Sequence, residues 1–213
     1  MNPLIDDGHG HMIPLKYYSK ERYIHSYDNV DGLRLHWTYY PQCMSIQKHR
    51  SRVRGRVLEV GVNYGNTAIL AATWPEVTEV VAVDIYEEAL EVCRNLAKQI
   101  GVENKMKFHT LNWAEPHCLG VDFDLFMCHH TLEHIYAEDV PEFVRNSAMA
   151  IKSGGFALVT VPHLTCHNSP EHVAFYDEKK LVETFEKHGL IMESCQVIPG
   201  HGSIDGLFRK STT

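Results

Sequence analysis

No run of 18 or more apolar residues occurs in the 213-residue chain, so a membrane-spanning helix is excluded from the reading. The first ten residues lack a basic n-region followed by an apolar h-region, which leads to the expectation of a cytoplasmic protein. The six cysteines (Cys43, Cys93, Cys118, Cys128, Cys166 and Cys195) form no C-x-x-C pair and no small disulfide framework, as expected of reduced intracellular thiols. Positive charge is scarce: 20 Lys plus Arg stand against 27 Asp plus Glu. The resulting net charge of -7 argues against a nucleic-acid partner. Repeats and low-complexity tracts are missing too. A hydrophobic share of 44% with 22% charged residues excludes wholesale disorder, and this length builds one domain.

Histidine is what the chain has in excess. Fifteen are present, and histidine is the residue of metal sites and of proton transfer near neutral pH.

Residues 1–56 are aromatic and polar, with Tyr17, Tyr18, Tyr23, Tyr27, Trp37, Tyr39 and Tyr40 and no strand pattern. This segment is expected to form an N-terminal helical lid ahead of a domain over 57–213. From Arg56 onward, short apolar runs alternate with helical periodicity, the mark of βαβ units. Strands are expected over residues 57–60, 79–83, 106–111, 123–128, 156–161 and 204–209, with a further extended stretch over 191–198. Helices are expected over 66–73, 87–100, 140–151 and 178–188; in the second of these Leu90, Cys93, Leu96, Ala97 and Ile100 recur at spacings of three and four. The fold class is α/β and Rossmann-like: a mostly parallel seven-stranded sheet with helices on both faces.

The first strand-to-helix junction reads Glu59-Val60-Gly61-Val62-Asn63-Tyr64-Gly65. It is not the G-x-G-x-x-G of a pyrophosphate-binding turn. An acid lies two residues before the first glycine, and Asp84 closes the second strand, where it can accept hydrogen bonds from a ribose diol. Acid, glycine turn and second acid suit a nucleoside with a cationic or zwitterionic tail.

These residues resemble motif I of the class I S-adenosylmethionine-dependent methyltransferases, acid-x-Gly-x-Gly-x-Gly, with Asn63 in place of the middle glycine. Asparagine is the side chain that best tolerates the left-handed backbone such a position asks for. Val80 to Asp84 resembles motif II. Phe123 to Ile135, Lys152 to Gly155 and Glu171 to Tyr176 are similar to segments of the small-molecule branch that includes ubiquinone-biosynthesis methyltransferases. The resemblance implies S-adenosylmethionine as cofactor, S-adenosylhomocysteine as product, and a small-molecule acceptor methylated at oxygen or nitrogen. It further implies that Glu59, Gly61, Asn63 and Gly65 shape the methionine end of the site, that Asp84 binds the ribose, that Ile85 packs on adenine, that Asn112 and Trp113 flank the base, and that His129 also touches the cofactor. No Asp/Asn-Pro-Pro-Tyr motif follows the fourth strand, which argues against methylation of DNA or glutamine amino groups.

The run His129-His130-Thr131-Leu132-Glu133-His134 follows the fourth strand. Three readings stay open. His130 or His134 acts as a general base or orienting group; or His130, His134, Glu133 and His172 hold a metal, an arrangement resembling the small-RNA 3'-terminal ribose methyltransferases; or the run caps the next helix. The expected catalytic residues are His130 and His134, with no metal. A metal-dependent RNA ribose methyltransferase and a non-catalytic cofactor-binding scaffold or regulatory protein are the alternatives. His163 and His167 are candidates for the acceptor side, the other histidines are read as solvated, and Cys128 as a core residue. Lys48, Arg50, Arg52, Arg54 and Arg56 read as a solvated helix end, or else as an anion patch if they face the cleft.

Overall fold

A computed structural model describes residues 4–6, 12–14, 30–166 and 169–212. Two short strands, β1 (Leu4–Asp6) and β2 (Met12–Pro14), pair antiparallel. They correct the expectation that residues 1–56 hold no strand: three residues per strand are too few to leave a readable alternation.

Val57 to Val60 are all buried, a pattern that only a strand covered on both faces satisfies. This strand, β3 (Gly55–Val60), is an interior strand, third of the seven in the sheet. The others are β4 (Val77–Asp84), β5 (Met106–Thr110), β6 (Phe123–His129), β7 (Ile151–Pro162), β8 (Leu190–Val197) and β9 (Ser203–Lys210). Their spatial order is β5-β4-β3-β6-β7-β9-β8, with β9 alone reversed. The chain moves outward from β3 in both directions. The switch point between β3 and β6, where open α/β sheets bind ligands, therefore lies at mid-sheet.

Strand pleating divides the core in two. Val57, Leu125, Met127 and Leu158 face one layer, which also holds Leu33, Cys43 and Ile46. Leu58, Val60, Phe126, Cys128 and Val159 face the other. The first layer contains α1 (Val30–Tyr39), α2 (Pro41–Lys48), α3 (Asn66–Ala72) and α4 (Glu87–Ile100); the second contains α5 (Val140–Ala150) and α6 (Glu178–Glu186). Helix α4 buries Leu90, Cys93, Leu96 and Ala97 as their spacing requires, carries Glu87 and Glu88 at the positive end of its dipole, and stops at Gly101, φ +86°. Helix α6 starts where the Asp177 side chain accepts the Lys180 N–H at 2.7 Å.

Helices α1 and α2 are fastened to the sheet. Ser45 Oγ, Lys48 Nζ and His49 Nε2 converge on the buried Asp205 carboxylate of β9 at 2.6, 2.5 and 2.9 Å, and Trp37 Nε1 donates to the Asn66 carbonyl at 2.9 Å. This part of residues 1–56 is a core layer, which corrects the lid expectation for it; residues 17–29 lie outside the described residues. The basic run is absorbed at the far end of the sheet: Arg50 pairs with Glu76, Arg56 with Glu79, and Arg52 covers the Phe156 ring. Among the described residues no helix is long and apolar enough to cross a membrane.

Candidate functional site

Leaving β3, the chain adopts left-handed backbone at Gly61 (φ +74°), Asn63 (φ +49°) and Gly65 (φ +85°) within five residues. The tight turn returns the chain to β4, where the Asn63 N–H donates to Asp84 Oδ2 at 2.8 Å. Asp84 Oδ1 accepts from Tyr86 N at 3.1 Å. Burial pushes the Asp84 carboxyl up, partly countered by these backbone N–H groups. Gly61 has a second reason to lack a side chain: a Cβ there would lie 2.1 Å from Thr131 Oγ1.

A cavity opens at the carboxyl ends of β3, β4, β5 and β6. Its apolar wall is Ile85, Leu111, Trp113, Ile135 and Phe143; its polar wall is Asp84, Asn112, His130, Thr131 and His134. Trp113 is locked by its Nε1–H, which donates to Ser147 Oγ at 3.0 Å, and by stacking on His117 at 4.2 Å between ring centres. Asn112 closes its own turn, accepting from Ala114 N and donating to Glu115 Oε1, both at 3.1 Å. Gly61, Asp84, Ile85, Asn112, Trp113, His130 and His134 thus line one cavity.

Four expected cofactor residues do not line this cavity among its described walls. Glu59 shares the face of Val57, lies fully buried beneath α3, and accepts from Thr67 Oγ1 while its Oε2 has no partner. Burial pushes its carboxyl up to about 8, with the Thr67 hydrogen bond opposing. Asn63 and Gly65 form the turn itself, and Gly65 is packed so closely that a Cβ would lie 2.3 Å from Cys93 Sγ. His129 continues the pleat of Met127 and faces away from the cavity wall. Its Nδ1 meets Thr160 Oγ1 at 3.0 Å, and burial drives its imidazole down to about 3.

His130 breaks that pleat. Its backbone is left-handed (φ +51°), unusual for a histidine and a mark of a constrained position, and its N–H donates to the Thr160 carbonyl at 2.8 Å. The ring turns into the cavity with Nδ1 3.4 Å from Glu133 Oε1 and Nε2 3.3 Å from Ser203 Oγ. Leu132 to His134 form a 3-10 turn, so His130 and His134 reach the cavity by the loop's path rather than as one helical face. His134 Nδ1 lies 3.1 Å from the Glu171 carbonyl oxygen, its Nε2 4.0 Å from Glu133 Oε1, and its ring edge-to-face with His172 at 5.0 Å. Glu133 is wholly buried. Burial alone raises its carboxyl, but the His130 and His134 imidazoles outweigh that and hold it below the usual carboxylate range.

His163 pairs with Glu178 at 3.6 Å away from the cavity wall, and His167 lies outside the described residues. His36 and His49, expected in solvent, are buried against Tyr40 and Asp205. Cys128 is buried in the core and its thiol is raised well above the usual range, so it is inert as a nucleophile. The cavity residues not singled out from sequence are Tyr86, Leu111, Ala114, Ile135, Tyr136, Asp139 and Phe143. The position of 135–143, running from the end of β6 into the first turns of α5, could have pointed to four of them, and the neighbours of Ile85, Asn112 and Trp113 to the rest.

Residues 57–155 match the methyltransferase-domain family. The uncharacterized methyltransferase YcgJ of Bacillus subtilis (strain 168) is 31% identical over 143 residues, 61% of this chain and 54% of that relative, so the match spans about half of the relative's length. An S-adenosylmethionine-dependent methyltransferase from Clostridium acetobutylicum superposes with a TM-score of 0.65 over 78% of this chain and 89% of its own, at 13% identity. The 4+2 cyclase SpnF superposes with a TM-score of 0.70 over 85% of this chain and 82% of its own, also at 13% identity. The strand order with its single reversed strand and the glycine turn tied to Asp84 thus stand together with a match to the methyltransferase-domain family over 57–155, and the fold is the one these methyltransferase structures share.

Proposed function

We propose that the chain transfers the methyl group of S-adenosylmethionine to a small-molecule acceptor at oxygen or nitrogen. The observation that carries this reading is the convergence of Asp84, Trp113 and His130 on one cavity at the switch point of the sheet. The residues fit the cofactor. A nucleoside needs an apolar slot and an acceptor for its two hydroxyls; Ile85, Trp113 and Phe143 supply the first and Asp84 the second. Each Asp84 oxygen accepts one backbone N–H and keeps a further lone pair. Gly61, without a Cβ, lets the turn run along the ligand.

A sulfonium supplies a methyl group on a leaving group that is already good. What remains for the protein is to align the acceptor and take its proton, which is worth on the order of 10²-fold in rate for a well-placed base. His130 takes that proton at Nε2, its ring held by the Glu133 carboxylate 3.4 Å from Nδ1. His134 bounds the acceptor side of the same wall. No lysine or arginine lines the cavity among the described residues, which favours a small acceptor over a polyanion.

The test is formation of S-adenosylhomocysteine with a panel of small phenols, aliphatic alcohols, carboxylic acids and amines. One class should turn over, and His130→Ala should slow it about 100-fold with cofactor affinity retained. Unchanged turnover in that variant removes His130 from the proton-accepting role.

A further inference from the structure

Ser203 opens β9, belongs to none of the sequence motifs and is almost wholly buried, yet its hydroxyl reaches the imidazole assigned above as the base. Its Oγ lies 3.3 Å from His130 Nε2, the one hydrogen bond of that hydroxyl among the described residues. The backbone around it is pinned. Ser203 is paired with Pro162 at the end of β7, its carbonyl accepts Ile198 N at 2.7 Å, and the Gly202 carbonyl accepts His163 N at 2.8 Å. Strand β7 also fixes the other partner, because its Thr160 carbonyl holds the His130 N–H at 2.8 Å. Although 73 residues apart in the chain, the two side chains are therefore set against each other by one strand.

The two ring nitrogens of His130 meet different chemistry. Glu133 is wholly buried and ionised, and a carboxylate can only accept. With its Oε1 3.4 Å from Nδ1, it places the proton of the neutral ring on Nδ1 and the lone pair on Nε2. The group at Nε2 then has to serve a nitrogen that is bare before methyl transfer and protonated after it. A hydroxyl does both by turning about its Cβ–Oγ bond, donating to the bare nitrogen and accepting from the N–H, whereas a carboxylate or an ammonium satisfies one state only. At 3.3 Å the contact is long for such a bond, so it restrains the ring yet gives way at Nε2 to a better-placed acceptor. Ser203 is not among the described walls of the cavity that His130 lines, and so it holds the ring without touching the ligand.

Resting on the transfer reading above, we propose that Ser203 is the positioning residue of His130: its hydroxyl fixes the rotation of the ring and partners Nε2 both before and after that nitrogen takes the acceptor's proton. Glu133 and Ser203 grip the imidazole at its two nitrogens, the first setting the tautomer and the second the direction. In the transfer step the O–H or N–H bond of the acceptor breaks with its proton passing to Nε2, the bond to the methyl carbon forms as the S–CH₃ bond breaks, and the electron pair stays on sulfur. Ser203 neither gains nor loses a proton.

The experiment uses the full chain with ¹⁵N-labelled histidines and long-range ¹H–¹⁵N correlation spectra, in which His130 is recognised by the signals lost in His130→Ala. In the wild type Nδ1 should carry the proton and Nε2 should resonate as an imine nitrogen that accepts a hydrogen bond. Ser203→Ala should move Nε2 to the frequency of a free imine nitrogen with Nδ1 still protonated, and Ser203→Thr should restore it. With the acceptor class that turns over, kcat should fall about tenfold in Ser203→Ala, part of the rate that a placed base supplies, while KM and cofactor affinity are kept and Ser203→Thr recovers the loss. Circular dichroism establishes that the variants fold; if the threonine methyl is not accommodated, Ser203→Cys, a weaker donor, should lie between serine and alanine. An unmoved Nε2 signal in folded Ser203→Ala, or an unchanged kcat, overturns the proposal. Failure of the wild type to bind cofactor or to methylate any acceptor contradicts the transfer reading instead, and the Nε2 signal then decides alone whether Ser203 holds the ring.

Discussion

The backbone N–H of Asn63 donates to Asp84 Oδ2 at 2.8 Å, tying the glycine turn after β3 to the last residue of β4. One carboxylate thereby holds the turn and presents itself to the cavity. In Asp84→Ala, two backbone N–H groups lose their acceptor, at about 1–3 kcal/mol per buried unsatisfied group. S-adenosylmethionine affinity should fall more than tenfold. Asp84→Asn, which keeps one acceptor oxygen, should lie between. Calorimetry together with urea unfolding reads both effects, and equal affinity in all three proteins would detach Asp84 from the site.

Gly61→Ala places a methyl 2.1 Å from Thr131 Oγ1 on a backbone with φ +74°. The left-handed conformation alone costs an L-residue about 1–2 kcal/mol. Removing Thr131 as well, in Gly61→Ala/Thr131→Gly, relieves the collision but not the backbone cost. Urea unfolding should show the double variant more stable than Gly61→Ala yet still below Thr131→Gly alone.

Asp205 holds α2 to the sheet. Burial raises its carboxyl, but His49, Lys48 and Ser45 outweigh it and bring it to about 2. A depressed carboxylate contributes stability in full above its unfolded value near 3.9, and that stability is lost as pH falls through about 2. Its share is about 2.6 kcal/mol. Denaturant unfolding between pH 5 and 2 should show that loss in wild type and a shallower slope in Asp205→Asn, which should also be the less stable at pH 7.

Glu59 has the opposite sign. Its carboxyl is raised to about 8, so the folded state holds a proton that the unfolded state releases near 4.3. Its contribution is complete below the unfolded value and is lost as pH rises through about 8. Glu59→Gln should therefore remove this loss and exceed wild type in stability at pH 8. His129, driven down to about 3, adds an opposite slope below pH 6.5, so the test is read above that value. A wild-type stability unchanged from pH 6.5 to 8 would contradict the buried, protonated Glu59.

The sheet and its helices were legible because parallel strands covered on both faces leave runs such as Val57 to Val60, and because Leu90, Cys93, Leu96 and Ala97 mark one helical face. The left-handed Asn63 was legible from its residue type. Strand pleating puts Glu59 and His129 outside the cavity wall: each continues the alternation of a residue facing the opposite layer, while His130 escapes it through its own left-handed backbone. That escape has no sequence signature. Neither has the convergence of Ser45, Lys48 and His49 on Asp205, about 160 residues away in the chain, which turned α1 and α2 from an expected lid into a core layer.

The most direct test of the account is calorimetric titration of the full chain with S-adenosylmethionine and S-adenosylhomocysteine. One saturable site of micromolar affinity or better is expected for both ligands, weakened in Asp84→Ala. No heat of binding at high micromolar ligand, with the protein shown to be folded, would contradict the assignment of the cavity at the ends of β3 to β6 as a cofactor site.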